Sequence, residues 1–257
     1  MKVGFVVTNH YSQRIRPYGR KILIDYLNSI YQFCKFNFEI FLVDNQSDDK
    51  FSNYPDNLKY TYIENQWKKG LTGAWNVGIK NAYKAGCDII INTNDDLILN
   101  ESINNFIENI NVNVNRNVGF FGPLTNGVNG NFKILQGSQG IDPNKTQQLS
   151  GLDWNSFISG FFFGFTKEFY EKFKYDDGDL FAEFDKFEKK YIHEYAGDCG
   201  KWGGQEMEQK RFAENGGKIF IDGNCWVNHI KFRDWNKARK IAGEYGWHFK
   251  ENFSETK

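Results

Sequence analysis

The strongest constraint on the fold of this chain is a regular alternation of short apolar runs and amphipathic helical segments in its first half. The apolar runs are short and bounded by polar residues, which predicts buried strands at residues 3–7, 38–43, 58–63 and 87–92. Apolar residues at helical spacing predict helices at residues 21–34, 72–85 and 102–110. This alternation is typical of an α/β fold with a mostly parallel central sheet flanked by helices.

The second half of the chain is less regular. Apolar runs predict strands at residues 118–122, 157–165 and 218–222. Helices are predicted from a Thr166 cap to residue 173, and over residues 205–215 before Gly216 and Gly217. No repeat and no shift in composition divides the sequence, so we predict a single domain over residues 1–257.

Composition excludes several classes of protein. The 257 residues contain 32 Lys and Arg against 32 Asp and Glu, and a net charge of zero argues against a general nucleic-acid binder. The four cysteines form no CxxC pair, so neither a zinc site nor a dense disulfide framework is expected, and reduced thiols suit a cytoplasmic protein. No apolar stretch approaches the roughly 20 residues of a membrane span, so no transmembrane segment is predicted.

Polar side chains follow three of the predicted strands. They are Thr8 and Asn9, then Asp44 and Asn45, and finally Asn94, Asp95 and Asp96. Because ligands of open α/β sheets bind beyond the carboxyl ends of the strands, we expect these three groups to meet in one crevice. A single Asp after a strand is more often a turn former or a helix cap, but three such groups in succession favour a binding site.

Adjacent carboxylates in a crevice repel one another unless a cation lies near them. Carboxylate oxygens suit Mg²⁺ or Mn²⁺, and such an ion would hold a diphosphate. The sequence contains neither GxGxxG nor GxxxxGK[ST], which disfavours a Rossmann dinucleotide enzyme and a P-loop nucleoside triphosphatase. The glycines of GLTGAWNVG at residues 70–78 fit neither motif, but small residues there would allow a ligand to come close.

Six segments in order resemble motifs of the GT-A-fold, family-2-type glycosyltransferases. They are VDNQSDD at 43–49, GLTGAWNVGI at 70–79, NTNDDLIL at 92–99, ISGFFFGFTKEFYEKF at 158–173, GGQEMEQKRFAENGGKIF at 203–220 and VNHI at 227–230. Each motif is weak alone, whereas six in the right order over residues 1–230 are specific. The resemblance implies a GT-A fold whose parts are a nucleotide-sugar-binding half at 1–122, an acceptor and catalytic half at 123–230, and a helical tail at 231–257.

The resemblance also implies roles for individual residues. The residues expected to bind the nucleotide are Thr8, Asn9, Asp44, Asn45, Gly73, Asn76, Asn94 and Asp95. Asp96 matches the metal-binding acid of the family's DXD motif, and His229 matches a residue that can complete the coordination. Because an imidazole ligand favours Mn²⁺ over Mg²⁺, manganese is the expected cofactor. Asn94 stands where the family has the first acid, so a modest metal affinity is expected.

The resemblance assigns catalysis to the segment around residue 206. Glu206 matches the general base of an inverting transfer, although Gln205 replaces the acid before it. A carboxylate in this role takes the proton of the attacking hydroxyl. Glu206 could instead only stabilise a helix N-terminus electrostatically. The expected acceptor-binding residues are Trp202, Gly160 and Gly204; Trp75 could stack on a sugar or belong to the core.

The resemblance thus implies a metal-assisted, inverting glycosyltransferase of the hexosyl or deoxyhexosyl class. Its donor is a nucleoside-diphosphate sugar, with UDP-sugars favoured, and its acceptor is a hydroxyl of a glycan or another molecule. Two alternatives stay open. A sugar-phosphate nucleotidyltransferase has a similar sheet but usually begins with a glycine-rich loop, which VTNHYSQRIRPYGRK at residues 7–21 lacks. A binding domain without catalysis would account for Asn94 and Gln205.

Overall fold

The protein forms one mixed sheet with helices on both faces. The computed structural model describes residues 1–11, 18–48, 58–65, 70–112, 118–126, 144–149, 158–182 and 204–230. The strands are β1 (Lys2–Asn9), β2 (Asn37–Asn45), β3 (Thr61–Asn65), β4 (Ile89–Asn94), β5 (Leu97–Ile98), β6 (Gly119–Thr125), β7 (Thr146–Gln148), β8 (Phe162–Thr166) and β9 (Lys218–His229). The helices are α1 (Gly19–Phe33), α2 (Gly70–Lys84), α3 (Ile103–Val112), α4 (Lys167–Phe173) and α5 (Gly204–Glu214).

The strand order is β3-β2-β1-β4-β8-β6-β9-β5, and β7 pairs with β9. Strands β3, β2, β1 and β4 are parallel, β8 runs against β4 and β6, and β9 runs parallel to β6. Six of the described strands therefore run in one direction, while β5, β7 and β8 run in the other. This arrangement confirms the predicted mostly parallel α/β sheet.

Each face of the sheet has its own apolar core. Helices α1 and α3 cover one face, and α2, α4 and α5 cover the other. The second core is built largely from aromatic rings around Phe120, which packs against Phe163, Phe169 and Phe212 at centroid distances of 4.8, 5.8 and 5.7 Å. Most aromatic side chains of the described residues lie in these two cores. Trp75 is buried there as well, so it packs the core and offers no platform for a sugar.

Strand β9 is the element that differs most from its prediction. The apolar run predicts residues 218–222, but the strand continues to His229 through a bulge after Asp222. The buried Asp222 carboxylate supports the bulge because it accepts hydrogen bonds from Asn109 Nδ2 at 2.9 Å, Thr146 Oγ1 at 3.1 Å and the Asn224 N–H at 3.0 Å. A polar residue that interrupts an apolar run here marks a bulge and not a strand end.

Three of the four cysteines are buried free thiols, namely Cys34, Cys87 and Cys225. Burial raises the pKa of Cys87 to about 11, and it also raises the pKa of Cys34 and of Cys225. These thiols are therefore protonated and unreactive at neutral pH. In the described part of the chain, no helix is long and apolar enough to cross a membrane.

Helix α2 lies very close to the sheet at Gly78. A Cβ atom at this position would be 2.2 Å from Val6 Cγ1 and 2.9 Å from Val43 Cγ2. Any side chain there would push α2 away from β1 and β2, the two strands that end at the predicted nucleotide crevice. Gly78 therefore serves close helix–sheet packing.

We predict that Gly78→Ala lowers the free energy of unfolding by about 1–3 kcal/mol, the usual cost of overpacking a core. Urea unfolding followed by circular dichroism measures this cost. Lys84→Ala on the exposed end of the same helix is the matched control and should change the stability by less than about 0.5 kcal/mol. Equal stability of the two variants would contradict the close approach of α2.

A buried ion pair fixes helix α5 to the chain segment 175–182. Glu208 is fully buried, and its carboxylate accepts hydrogen bonds from the Ala182 N–H at 2.7 Å, from Tyr175 Oη at 2.9 Å and from Arg211 Nε. Arg211 also donates to the Leu180 carbonyl at 3.0 Å. Burial raises the pKa of Glu208, an effect that the charge of Arg211 opposes.

We predict that Glu208→Ala costs about 1–3 kcal/mol of stability, because it leaves the buried Ala182 N–H without its acceptor and removes the carboxylate that pairs with the partly exposed Arg211. Glu171→Ala is the matched control, since the pair of Glu171 with Lys174 is exposed to solvent and should be worth less than about 1 kcal/mol. Thermal unfolding of both variants measures the difference. A Glu208 variant as stable as the Glu171 variant would contradict a structural role for the pair.

Candidate active site

The carboxyl ends of the parallel strands form one polar edge of the sheet. In the strand register, Thr8 lies beside Asn94 and Asn9 lies beside Asp44. Asn45 in turn lies beside Asn65 at the end of β3. The three polar groups that follow separate strands in the sequence are therefore neighbours in the fold, and they line the edge where α/β proteins bind ligands.

Several polar atoms at this edge are buried and unsatisfied. Within the described residues, Thr8 Oγ1, Asn9 Oδ1 and Asn94 Oδ1 are shielded from solvent and have no hydrogen-bond partner. An unsatisfied buried polar atom costs about 1–3 kcal/mol. Three of them on adjacent strands make up a site prepared for the hydroxyl, amide or phosphate groups of a polar ligand.

Asp44 builds the turn that frames this edge. Its Oδ1 accepts a hydrogen bond from the Ser47 N–H at 2.8 Å, and its Oδ2 accepts one from Tyr62 Oη at 2.5 Å. Gln46 adopts a left-handed backbone with a φ of 60° in the same turn, and Asn45 Oδ1 accepts from Asn65 Nδ2 at 2.8 Å. Asp44 therefore forms a turn, as an Asp that follows a strand commonly does. Nucleotide contacts of Asp44 and Asn45 stay a prediction.

A carboxylate and an imidazole meet at the same edge. His229 Nε2 lies 3.5 Å from Asp96 Oδ1, and both side chains are only about one-eighth exposed, at 12% and 13%. Pairing of β5 with the end of β9 sets His229 beside the residue that follows Asp96. The Ile230 N–H donates to the Asp96 carbonyl at 2.8 Å. This hydrogen bond joins the two chain segments that carry the pair.

His229 is held from two sides. Its ring is stacked on the ring of Phe161, with a centroid distance of 4.8 Å and an interplanar angle of 10°. Its backbone N–H donates to Asn126 Oδ1 at 2.8 Å, and its carbonyl accepts from Asn126 Nδ2 at 3.2 Å. The Phe161 carbonyl also accepts from the Asn94 N–H at 2.8 Å. Sequence analysis does not identify Phe161 or Asn126, since no motif marks a residue that supports a ligand.

These residues fit two ligands of a divalent cation. Oxygen and nitrogen ligands at about 2.0–2.2 Å from one ion lie about 3 Å apart, close to the observed separation of Asp96 and His229. No group of three or more His, Cys, Asp or Glu side chains within the described residues could hold a metal. Two protein ligands would leave the other coordination positions of such an ion for phosphate oxygens and water. Asp95, the residue before Asp96, is buried as well. Burial of the Tyr26 phenol raises the pKa of Tyr26, and the negative charge of Asp95 raises it further.

Asn76 fastens chain segment 175–182 to α2. Its Oδ1 accepts from the N–H groups of Leu180 and Phe181 at 3.1 and 3.0 Å, and its Nδ2 donates to the Phe181 carbonyl at 2.7 Å. The predicted contact of Asn76 with a nucleotide stays a prediction. Gly73, one turn earlier in α2, is buried, and its contact with a nucleotide stays a prediction.

The predicted catalytic and acceptor residues are described only in part. Glu206 and Gly204 lie in the first turn of α5, but the Glu206 side chain and all of Trp202 lie outside the described part of the chain. Gly160 is buried in the turn before β8. Gln209 ties this turn to α5, because its side-chain amide bonds both the N–H and the carbonyl of Ile158, at 2.9 and 2.8 Å.

Comparison with solved structures gives the fold. GalNAc-T7 with UDP, GalNAc and Mn²⁺ has a TM-score of 0.62 at 14% identity, over 90% of this chain and 44% of that one. Residues 1–349 of S. aureus TarS have a TM-score of 0.58 at 17% identity, over 95% and 65% of the two chains. TarS with UDP-GlcNAc has a TM-score of 0.53 at 13% identity, over 93% and 61%. This chain thus spans less than two thirds of each of these proteins.

These neighbours are GT-A glycosyltransferases, so the predicted GT-A fold is confirmed. No curated protein matches the sequence significantly. Residues 17–174 match the family model described as "Glycosyl transferase family 2". The match covers more than half of the sequence and includes the strand ends that carry Asp44 and the Asn94–Asp96 motif. The chain therefore belongs to glycosyl transferase family 2.

Proposed function

We propose that the protein transfers a sugar from a nucleoside-diphosphate sugar, with UDP-sugars favoured, to a hydroxyl of an acceptor. The observation that carries this proposal is the Asp96–His229 pair, 3.5 Å apart, at the same sheet edge as the unsatisfied atoms of Thr8, Asn9 and Asn94. Family membership supports the reaction class. Structural neighbours crystallised with UDP, with UDP-GlcNAc or with Mn²⁺ support the donor class and the metal.

Different residues at the sheet edge would bind different parts of the donor. Thr8, Asn9 and Asp44 lie at the ends of β1 and β2, where they would contact the base and ribose. Asn94 offers an unsatisfied amide oxygen to a ribose hydroxyl next to Thr8. An amide in this place binds a hydroxyl without adding charge, so Asp95 and Asp96 supply the negative charge of the motif.

Asp96 and His229 would hold Mn²⁺ or Mg²⁺, with Mn²⁺ favoured by the imidazole ligand. When bound, such an ion neutralises the charge that develops on the leaving diphosphate. Phe161 and Asn126 keep His229 in one orientation before any ligand arrives, through the ring stack and the backbone hydrogen bonds. Binding of the ion would therefore cost little conformational entropy, because the His229 side chain is already ordered.

Glu206 is the proposed general base of an inverting transfer. It would accept the proton of the acceptor hydroxyl as the oxygen attacks the anomeric carbon. The helix that carries it is fixed on two sides, by Glu208 to segment 175–182 and by Gln209 to the turn before β8. A rigid α5 would hold the base at a constant position relative to Asn94, whose N–H bonds the same turn.

A binding domain without catalysis is the second candidate. It is favoured by two residues, Asn94 and Gln205, that stand where the family has acids. Binding of UDP or a UDP-sugar without turnover over a broad acceptor panel would support this candidate. Transfer to any acceptor, or metal-dependent hydrolysis of the donor, would exclude it.

We predict that Asp96→Asn weakens binding of UDP in the presence of Mn²⁺ by at least about tenfold, because it removes a charged ligand of the cation. Isothermal titration calorimetry with UDP, with and without Mn²⁺, measures the change. Asp25→Asn is the matched control, since Asp25 pairs with Lys21 on the exposed face of α1 and should bind UDP normally. Equal affinity of the Asp96 variant and the wild type would exclude Asp96 as a ligand.

We predict that Glu206→Gln lowers the turnover number by about 10²–10⁴-fold and leaves the affinity for UDP and Mn²⁺ within about twofold, because only proton transfer is lost. Donor turnover assayed by release of UDP, in parallel with calorimetry, separates the two effects. Glu214→Gln, an exposed change on the same helix, should leave both unchanged. Full turnover by the Glu206 variant would remove it from the role of base.

A further inference from the structure

A large aromatic side chain is exposed at the edge of the candidate site. Trp226 on β9 is 45% exposed, although its two strand neighbours, Cys225 and Val227, are fully buried. Its backbone is firmly held, because its carbonyl accepts from Asn100 Nδ2 at 3.0 Å and its N–H donates to Ser102 Oγ at 2.9 Å. The indole is thus presented to solvent from a strand whose backbone is held in place.

Trp226 lies on the face of the sheet that carries α5. In the register of β6 and β9 its partner is Leu124, which belongs to the apolar core under α2, α4 and α5. Neighbouring residues of paired strands lie on the same face. The indole therefore lies on the face that carries the predicted base, whereas Val227 and Cys225 face the core under α1 and α3.

Trp226 also lies at about the same height along the sheet as Glu206. A tight turn at residues 215–217 joins α5 to β9, so the helix runs antiparallel to the strand. Glu206 lies nine helical residues from this turn, which is about 14 Å along the helix axis. The strand partner of Trp226 lies five residues beyond the start of β6. Trp226 is therefore about 17 Å along the sheet from the start of that strand. His229 is the third residue after Trp226, about 10 Å further along the strand.

An amide group follows the indole along the strand. Asn228 lies two residues beyond Trp226 on the same exposed face, and its Oδ1 accepts from Asn126 Nδ2 at 2.6 Å. This bond fixes the Asn228 amide and leaves its NH₂ group to donate to a ligand. An aromatic face beside a fixed amide, without a charged side chain at either position, suits a neutral polyhydroxylated ring.

We propose that Trp226 and Asn228 form an acceptor subsite, in which a sugar ring stacks on the indole and a hydroxyl accepts a hydrogen bond from Asn228. The C–H groups of a sugar carry partial positive charge, and the face of an aromatic ring is negative. The acceptor of this protein is therefore a carbohydrate. This inference rests on the proposed function, because it takes the sheet edge at Asp96 and His229 as the donor site.

Saturation-transfer NMR with methyl β-glycosides of glucose, galactose and N-acetylglucosamine tests the subsite, on the full chain in the presence of UDP and Mn²⁺. We expect at least one of these glycosides to bind the wild type. Trp226→Ala should weaken that binding by roughly fivefold or more, and Trp226→Phe should retain most of it. Tyr31→Ala, which removes an exposed ring from α1, should change nothing.

UDP binding, measured on the same samples, separates this proposal from the proposed function. Loss of glycoside binding in Trp226→Ala with unchanged UDP affinity supports the subsite. Normal UDP binding with no glycoside binding to the wild type, or with equal binding to Trp226→Ala, overturns the subsite and leaves the donor site intact. Failure of the wild type to bind UDP overturns the proposed function itself.

Discussion

The pairing of β9 with β5 is the constraint on which the rest of the site depends. The first part of β9 completes the sheet beside β6, and its last residues turn past a bulge to pair with the two-residue strand that follows Asp96. Without this second pairing, His229 would end an ordinary edge strand. With it, an imidazole from the end of the described chain meets a carboxylate from its middle, and the two halves of the fold share one site.

Two groups of buried polar residues in the described part of the chain have different energetics. Asn76, Glu208, Gln209 and Asp222 have their hydrogen bonds satisfied within the protein, and each fastens a loop or a bulge to the sheet. Thr8, Asn9 and Asn94 each keep a side-chain oxygen without a partner among the described residues. The first group stabilises the framework. The second lowers stability at the sheet edge, a cost that a bound ligand would offset.

Most of the fold could be predicted from the sequence because its elements are strongly patterned. The apolar strands and the helices of the first half follow directly from their periodicity, and Thr166 caps α4 as expected, accepting from the Phe169 N–H at 3.2 Å. Strands β5 and β7 escape prediction because each is only two or three residues long and exists through pairing with β9. Such tertiary pairing leaves no local pattern in the sequence.

The candidate site was predictable in its location but not in all its details. Polar residues after successive strands indicate the edge of the sheet, and the resemblance to the family pairs Asp96 with His229. The contacts of Asn76 with segment 175–182 could not be predicted, because an amide can bind a ligand or a neighbouring backbone and only the fold decides which. Phe161 and Asn126 support His229 through contacts between distant parts of the chain, and no spacing rule reveals them.

Pulsed electron paramagnetic resonance of Mn²⁺ bound together with UDP detects the nuclei that coordinate the ion, and so it tests whether Asp96 and His229 bind the metal. We expect phosphorus couplings from the diphosphate together with nitrogen modulation from one imidazole, and loss of the nitrogen signal in His229→Gln. Phosphorus couplings without nitrogen modulation, or nitrogen modulation that survives in His229→Gln, would contradict the assignment of Asp96 and His229 as the metal-binding pair.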